Sequence, residues 1–296
     1  MMKRRFFIVA NSKAGHYDEY IVHEYLANIL AIEDISGEIY HFVDQQGLAK
    51  KMREAKQGAF DLYIAIGGDG MVALLASYLQ DSGKPIGIVP VGTSNTLANI
   101  LGIPLDAKQA IQLLIRSGKT KTIDALQIED RLFFMNVSTG FSSSVVKDLD
   151  SNKKTLLGVF AYIFAGLLHL PKTTQYIFSV AIDGKYQQVE AAELFVANSG
   201  VLGKPQYTVS DSTLDDGVLE VCIVNKPTIR GALDIILDIL IRKRKKGFLL
   251  LGQGQHITVS TEQPLPVQAD GDIIGETPIT VEVLPRAATF IVPITT

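Results

Sequence analysis

A doubly wound parallel α/β sheet, joined to a second, mainly antiparallel β-sandwich domain, is the fold class this sequence predicts. Over the first 120 of its 296 residues, short apolar runs alternate with segments of helical spacing, the pattern of repeated strand–helix units. From Lys119 onward strand patterns dominate, with Asp183-Gly184 and Asp270-Gly271 as hairpin turns. The stretch Asp61 to Met71, DLYIAIGGDGM, is a buried strand running straight into a glycine turn and then a helical pattern.

The first half reads as follows. Phe6 to Ala10 is a strand, Tyr17 to Ala31 a helix with apolar spacing at Tyr20, Ile21, Tyr25, Leu26 and Ile29, Glu38 to Val43 a strand, and Leu48 to Lys56 a polar helix. The strand Leu62 to Ile66 is followed by a helix from Met71, and Pro85 to Val89 is a further buried strand. The loop Pro90 to Ser94 leads into a short helix ending near Gly102, and Asp106 caps a helix from Ala107 to Arg116 that Gly118 stops. In the second half the strands are Thr122 to Ile128, Leu132 to Val137, Tyr176 to Ile182, Gln187 to Ala197, Val218 to Val224, Gln255 to Thr261, Ile279 to Leu284 and Thr289 to Val292. Two helical insertions, Leu156 to Leu170 and Thr228 to Arg242, interrupt them. Residues 1–120 and 121–296 are therefore expected to form the two domains, with ligands in the crevice between them and beyond the carboxyl ends of the parallel strands.

Composition narrows the function. Hydrophobic residues make up 47% and charged ones 20%, enough for a large core and against disorder. A net charge of -3 provides no basic field for nucleic acid. The single cysteine, Cys222, lies in an apolar run and reads as a buried thiol, which fits a reducing cytoplasm. The start, MMKRRFFIVANSKAG, reads as a buried first strand rather than a leader. The longest apolar stretch, LLGVFAYIFAGLLHL, is shorter than the ~20 residues a membrane span needs, so any membrane contact is expected to be peripheral. The helix from Thr228, with its apolar stripe and the basic cluster Arg242 to Lys246, reads either as a membrane-surface helix or as a core-packed helix with a solvated basic end. The five histidines show no metal spacing and read as ordinary residues.

Chemistry is carried by five short segments. Gly67, Gly68 and Gly70 let backbone N–H groups approach an anion at the start of a helix. Asp69 within that turn would repel a phosphate without a cation between them, which points to a metal–phosphate complex; the alternative is an aspartate cap. Gly92, Thr93, Ser94 and Asn95 form a second donor loop, and Ser94 or Asn95 can also cap the helix that follows. In Asn11-Ser12-Lys13-Ala14-Gly15, Lys13 can neutralise phosphate charge and Asn11 can hydrogen-bond a nucleotide. Asp211, Asp215 and Asp216 pack three carboxylates into one turn, either a hard-cation site or a solvated Asp-Gly turn. Asp270 and Asp272 flank Gly271, where one carboxylate can help hold Mg²⁺ and the other accept a hydroxyl proton; the alternative is an ordinary hairpin turn.

Taken in order, NSKAG, GGDG, PVGTSN, LDDG and ADGD…TP resemble the diacylglycerol kinase catalytic-domain family, and most closely its bacterial soluble lipid-kinase branch. The set runs from Asn11 to Pro278. GGDG also occurs in NAD kinases, but PVGTSN and the late DGD…TP fit the lipid kinases better. The resemblance implies an ATP/Mg²⁺ site shaped by Asn11, Gly68, Asp69, Gly70, Gly92, Thr93 and Asn95. It implies a structural Mg²⁺ held by Asp216 with the carbonyls of Thr213 and Val218, Asp270 in a catalytic metal–water network, and Asp272 at the position of the general base. Three positions depart from the family pattern: Met71 follows GGDG where threonine is usual, Thr96 stands where aspartate or a small residue is common, and DGD replaces DGE. The last sets the base back by one methylene, about 1.5 Å. The expected protein is a cytoplasmic ATP- and Mg²⁺-dependent kinase of a diacylglycerol-like lipid, peripheral to the inner membrane face, with exposed sheet edges that permit a homodimer. A nucleotide- or lipid-binding protein with little catalysis and an NAD kinase-like enzyme are the alternatives.

Overall fold

The computed structural model describes residues 3–116, 118–141, 143, 175–199, 212–224 and 248–294. The chain divides into two units, Met1–Ile123 with Arg286–Thr296, and Asp124–Pro285.

In the first unit, β1 (Arg5–Ala10) leads through a π-helical turn, Ile21–Tyr25, into α1 (Leu26–Ile32). Then come β2 (Ser36–His41), α2 (Gln45–Gln57), β3 (Leu62–Gly67), α3 (Asp69–Leu79), β4 (Ile86–Pro90), α4 (Thr96–Ile100) and α5 (Ala107–Arg116). The strands are parallel in the order β2-β1-β3-β4, with Ile8 between Ile39 and Ile64 and Ile64 beside Gly87. Burial on both faces explains the near-continuous apolar sequences of β1, β3 and β4, whereas the edge strand β2 is partly exposed and polar. One face, with Phe6, Ile8, Ile64 and Ile66, packs on Leu26 and Leu30 of α1 and Ile111 and Leu114 of α5. On the other face Phe7 meets Phe60 at 5.3 Å between ring centroids, and the Tyr63 hydroxyl donates to the Ala55 carbonyl of α2. The chain runs from β1 to β2 on one side and then returns past β1 to β3, so the sheet is doubly wound and its switch point lies between β1 and β3.

The second unit takes up the end of β5 (Gly118–Ile128), which pairs with β6 (Arg131–Phe133). It continues with β7 (Asn136–Gly140), β8 (Tyr176–Ile182), β9 (Lys185–Ala191), β10 (Glu193–Ala197), β11 (Leu219–Val224), β12 (Phe248–Gly254), β13 (His256–Thr261), β14 (Pro266–Ala269) and β15 (Asp272–Glu276). The last strand is β16 (Ile279–Pro293). One sheet runs β12-β11-β10-β7-β14-β15, antiparallel throughout. Facing it, β13 lies antiparallel to both β8 and the start of β16, and β8 pairs with β9. Between the layers, Phe178, Val180, Ile257, Val259 and Val281 pack on Val137, Leu194, Val196, Val221 and Val267. This is the sandwich arrangement the alternating strands predict. Cys222 is fully buried, and burial with the neighbouring Glu220 pushes its thiol up to about 12, so it stays protonated.

The structure differs from the sequence expectation at several elements. The helix after the glycine turn starts at Asp69 rather than Met71. Leu132 to Val137 is not one strand: β6 ends at Phe133 and β7 begins at Asn136, because the intervening N–H groups turn to a side chain instead of a ladder. Gln187 to Ala197 breaks at Ala192, whose N–H bonds the Val224 carbonyl. Ile279 to Leu284 and Thr289 to Val292 are one strand. From Arg286 that strand belongs to the first unit, where Phe290 sits beside Ile86 in parallel pairing, whereas the sequence assigned everything after residue 120 to the second. Strand β12 and the two strands that flank the predicted Asp270-Gly271 turn, β14 and β15, carry too little alternation to be read from sequence. Both helical insertions, the basic cluster at 242–246 and Asp211 lie outside the described residues. Among the described residues no helix is long and apolar enough to cross a membrane.

Phe290 is fully buried. Phe290→Ala is expected to cost about 3–5 kcal/mol, the range for deleting a buried aromatic ring. Urea denaturation measures it, and a loss under about 1 kcal/mol contradicts the return of this segment to the first core.

Candidate functional site

The ends of β1, β3 and β4 lie at one edge of the parallel sheet, and the loops that leave them touch. Asn11 N–H donates to the Ile66 carbonyl at 2.9 Å, and Val91 N–H to the Gly67 carbonyl at 3.1 Å. Gly68 and Gly92 meet backbone to backbone: a Cβ added to Gly92 would lie 2.4 Å from the Gly68 Cα and 3.0 Å from its nitrogen. Only glycine allows that approach. The two donor loops therefore lie side by side, as the doubly wound order suggests. Gly15 brings the first loop against them, since a Cβ there would sit 3.0 Å from Thr93 Oγ1.

Asn95 fixes the second loop. It adopts a left-handed backbone with φ 48° and is buried. Its Oδ1 accepts the Gly92 N–H at 2.9 Å, and its Nδ2 donates to the Gly92 carbonyl at 2.8 Å and the Pro90 carbonyl at 3.3 Å. The carboxamide braces the loop and does not cap α4. Asp69 does that from across the site. Its two oxygens each accept one N–H, from Thr96 and Leu97, both at 3.0 Å. Burial raises the Asp69 carboxyl above its ordinary 3.8, while the N–H groups of Thr96, Leu97 and Asp69 itself pull it back. Asp69 thus caps α4 and not the helix of its own turn, where the local sequence put the cap.

At the start of α3 the N–H groups of Met71 and Val72 both bond the Gly68 carbonyl, at 3.0 and 3.2 Å, and no side chain caps the helix. The Gly70 N–H has no acceptor within the helix, so the turn offers a main-chain donor and positive dipole to an anion. Thr93 and Ser94 add half-buried hydroxyls. Asn11 Oδ1 accepts the Lys13 N–H at 3.0 Å, which leaves its Nδ2, and the Lys13 side chain is exposed. Sequence reasoning passed over His16. Its N–H donates to the Val91 carbonyl at 2.8 Å and its Nδ1 lies 2.8 Å from the Gly92 carbonyl.

The remaining candidates belong to the second unit. Asp270 stands in the β14–β15 turn with φ 48°, followed by Gly271 at 97°. Its Oδ2 accepts the Phe134 N–H at 2.9 Å, and its Oδ1 those of Met135 and Asn136 at 3.0 and 3.1 Å. Asp270 thus holds the crossing from β6 to β7. Asp272 is exposed on β15. The hairpin turn and the paired carboxylates are both present, but the two carboxylates differ: one is bonded to the main chain and the other is open. In the third acidic turn, Asp215 and Asp216 are exposed, and Asp216 accepts the Thr213 N–H at 2.9 Å and the Val218 N–H at 3.2 Å. Among the described residues no three His, Cys, Asp or Glu side chains are grouped to hold a metal. Both Asp216 oxygens already accept a main-chain N–H, so a cation there would have to share that carboxylate and draw on main-chain carbonyls. The turn is backed by Asp124 and Asn198, which local sequence did not signal. Buried Asp124 accepts the Gly217 N–H at 2.7 Å, and Asn198 Nδ2 donates to the carbonyls of Asp124 and Phe134 at 2.8 and 3.2 Å.

A parallel sheet with glycine loops at the ends of its strands, continued by an antiparallel sandwich, defines a two-unit α/β protein. A family model described as "Diacylglycerol kinase catalytic domain" matches residues 5–128, and one described as "YegS C-terminal NAD kinase beta sandwich-like domain" matches residues 135–292. The chain belongs to the diacylglycerol kinase catalytic-domain family, in the branch with this C-terminal domain. An uncharacterized protein of Synechocystis is 31% identical over 83% of this chain, which spans 58% of that relative's length. A protein of Staphylococcus epidermidis named "Putative lipid kinase" is 28% identical over 77% of this chain and 75% of its own. The fold matches a crystal structure of a Bacillus anthracis protein named "putative diacylglycerol kinase", with a TM-score of 0.82, 24% identity, and coverage of 98% of this chain and 95% of that one.

Asp69→Ala leaves two N–H groups at the start of α4 without acceptors and is expected to lower stability by about 1–3 kcal/mol, read as a lower urea midpoint at unchanged slope. The pH dependence has a definite sign. Because the folded state raises the Asp69 carboxyl above 3.8, its share of stability is complete below 3.8 and is lost as pH rises through the raised value. Wild-type stability relative to Asp69→Asn is expected to fall over that interval; a difference that stays flat with pH contradicts it.

Proposed function

We propose that this chain is an ATP-dependent lipid kinase that uses Mg²⁺ and phosphorylates the hydroxyl of a diacylglycerol-like lipid. The observation that carries the proposal is the meeting of three loops at the carboxyl ends of β1, β3 and β4, glycine backbone against glycine backbone, beside the start of α3 that no side chain caps. In this proposal the Gly70 N–H, the hydroxyls of Thr93 and Ser94, and the Asn11 Nδ2 bind the nucleotide, and Lys13 offsets its charge. The family match and the relatives named as lipid kinases support nucleotide use and a lipid acceptor.

Phosphoryl transfer asks the protein chiefly to position groups and to stabilise charge that builds on oxygen. Asp69, Asn95 and the glycines meet the first need by fixing the donor loops. Asp272, the open carboxylate, is proposed to take the proton of the attacking hydroxyl. Asp270 keeps the strand that carries it in register. Magnesium, when bound with the nucleotide, would supply charge neutralisation for its phosphates; separately, Asp216 with the carbonyls of Thr213 and Val218 would hold a structural Mg²⁺ at the acidic turn.

A second reading has its own support. The C-terminal model is described as NAD kinase-like, and GGDG is shared with NAD kinases. Conversion of NAD to NADP by the pure protein would select it.

Radiolabelled ATP with Mg²⁺ and a panel of lipid alcohols tests the main proposal. Labelled phosphate is expected in a lipid, with Asp272→Asn slower by about 10²-fold or more. Wild-type activity in Asp272→Asn overturns the assignment of the base, and failure of the wild-type protein to label any lipid overturns the kinase itself.

A further inference from the structure

We infer that His16 is a further nucleotide-binding residue: its imidazole, held by one nitrogen on the Gly92 loop, presents the other as a charge-carrying contact to the nucleotide's phosphates. The inference rests on the nucleotide site proposed above and adds a residue and a pH dependence to it.

The geometry fixes the ring. The Gly92 carbonyl can only accept, so the 2.8 Å contact requires the hydrogen on Nδ1. The His16 N–H is also bonded, to the Val91 carbonyl at 2.8 Å. The residue is therefore tied twice to the loop after β4, yet its side chain is exposed. Burial is not what the ties achieve. They hold an exposed imidazole at the joint between the Asn11–His16 loop and the Val91–Asn95 loop, beside the glycine contact. The Nε2 edge faces away from the Gly92 carbonyl, and among the described residues no protein partner is recorded for it.

With Nδ1 committed as a donor, the neutral ring offers only a lone pair at Nε2, which a phosphate oxygen repels. The protonated ring offers an N–H and a full charge there, and a charge-assisted hydrogen bond to phosphate follows. Few charges around it compete. Lys13, Tyr17, Asp18 and Glu19 stand on its own segment, the Val91–Asn95 loop has no titratable side chain, and Asp69 of the glycine turn is bonded to Thr96 and Leu97. Nucleotide binding must then tighten as pH falls through the imidazole titration, and bound nucleotide must by linkage move that titration to higher pH.

The test uses ADP and the whole protein. The His16 imidazole signal, assigned by its absence from His16→Asn, is followed by NMR against pH with and without saturating ADP, and ADP affinity is measured by calorimetry. Asparagine places an amide donor where Nδ1 stood and nothing where Nε2 stood, so His16→Asn keeps the loop tie and removes the phosphate contact. The His16 curve is expected to move upward with ADP by about half to one pH unit, which corresponds to a roughly three- to tenfold affinity change. His16→Asn is expected to bind ADP weaker by the same factor near pH 6 and to lose that part of the pH dependence. A curve that ADP leaves in place, with ADP bound, overturns the inference and leaves the nucleotide site standing. Failure of wild-type protein to bind ADP at any pH overturns both.

Discussion

Gly68 and Gly92 approach so closely that no side chain fits on Gly92, and the first unit's candidate site follows from that contact. Two backbones in contact must place their polar groups sideways. The Gly92 N–H and carbonyl turn to the Asn95 carboxamide, which forces Asn95 into a left-handed conformation. A residue in that conformation starts α4 without capping it, and the bare N–H groups of Thr96 and Leu97 need an acceptor. Asp69, one residue beyond Gly68, supplies it. The glycine contact, the left-handed asparagine and the half-buried carboxylate are parts of one arrangement.

Carboxylates play a comparable part in the second unit. Asp270 gathers three consecutive N–H groups where the chain leaves β6 for β7, and Asp124 and Asp216 organise the turn before β11. A hydrogen-bonded carboxylate in such a place is architectural first, because an unpaired buried N–H costs more than the bond itself contributes. Asp272 is exposed and its carboxylate has no main-chain partner recorded among the described residues, and it is the acid proposed as the base.

The departures from the family pattern acquire physical content in this setting. Met71 is buried against the end of β3, where a Cβ on Gly67 would come within 2.7 Å of its own Cβ. It fills space under the glycine turn and presents no group to a ligand. Thr96 contributes through its main-chain N–H to Asp69, a contact available to any residue but proline. Neither change disturbs the loop geometry. The shortened Asp272 alters reach alone.

Much was legible before folding was considered. The apolar runs of β1, β3 and β4, the periodicity of α5 and the glycines after β3 and β4 identified a doubly wound sheet and the loops that matter, because burial on two faces and close backbone approach both restrict residue type locally. The ordered motifs identified the family, since each is a short segment with its own backbone demands. What each polar side chain does was decided only by tertiary structure. Asp69 lies 27 positions before its partner Thr96, Asp270 lies 136 beyond Phe134, and His16 lies 76 before Gly92. The return of Phe290 to the first unit and the division of β6 from β7 were set the same way. A local sequence states which groups are present; which of them are engaged, and which remain open to a ligand, depends on partners that only the folded chain brings within hydrogen-bonding distance.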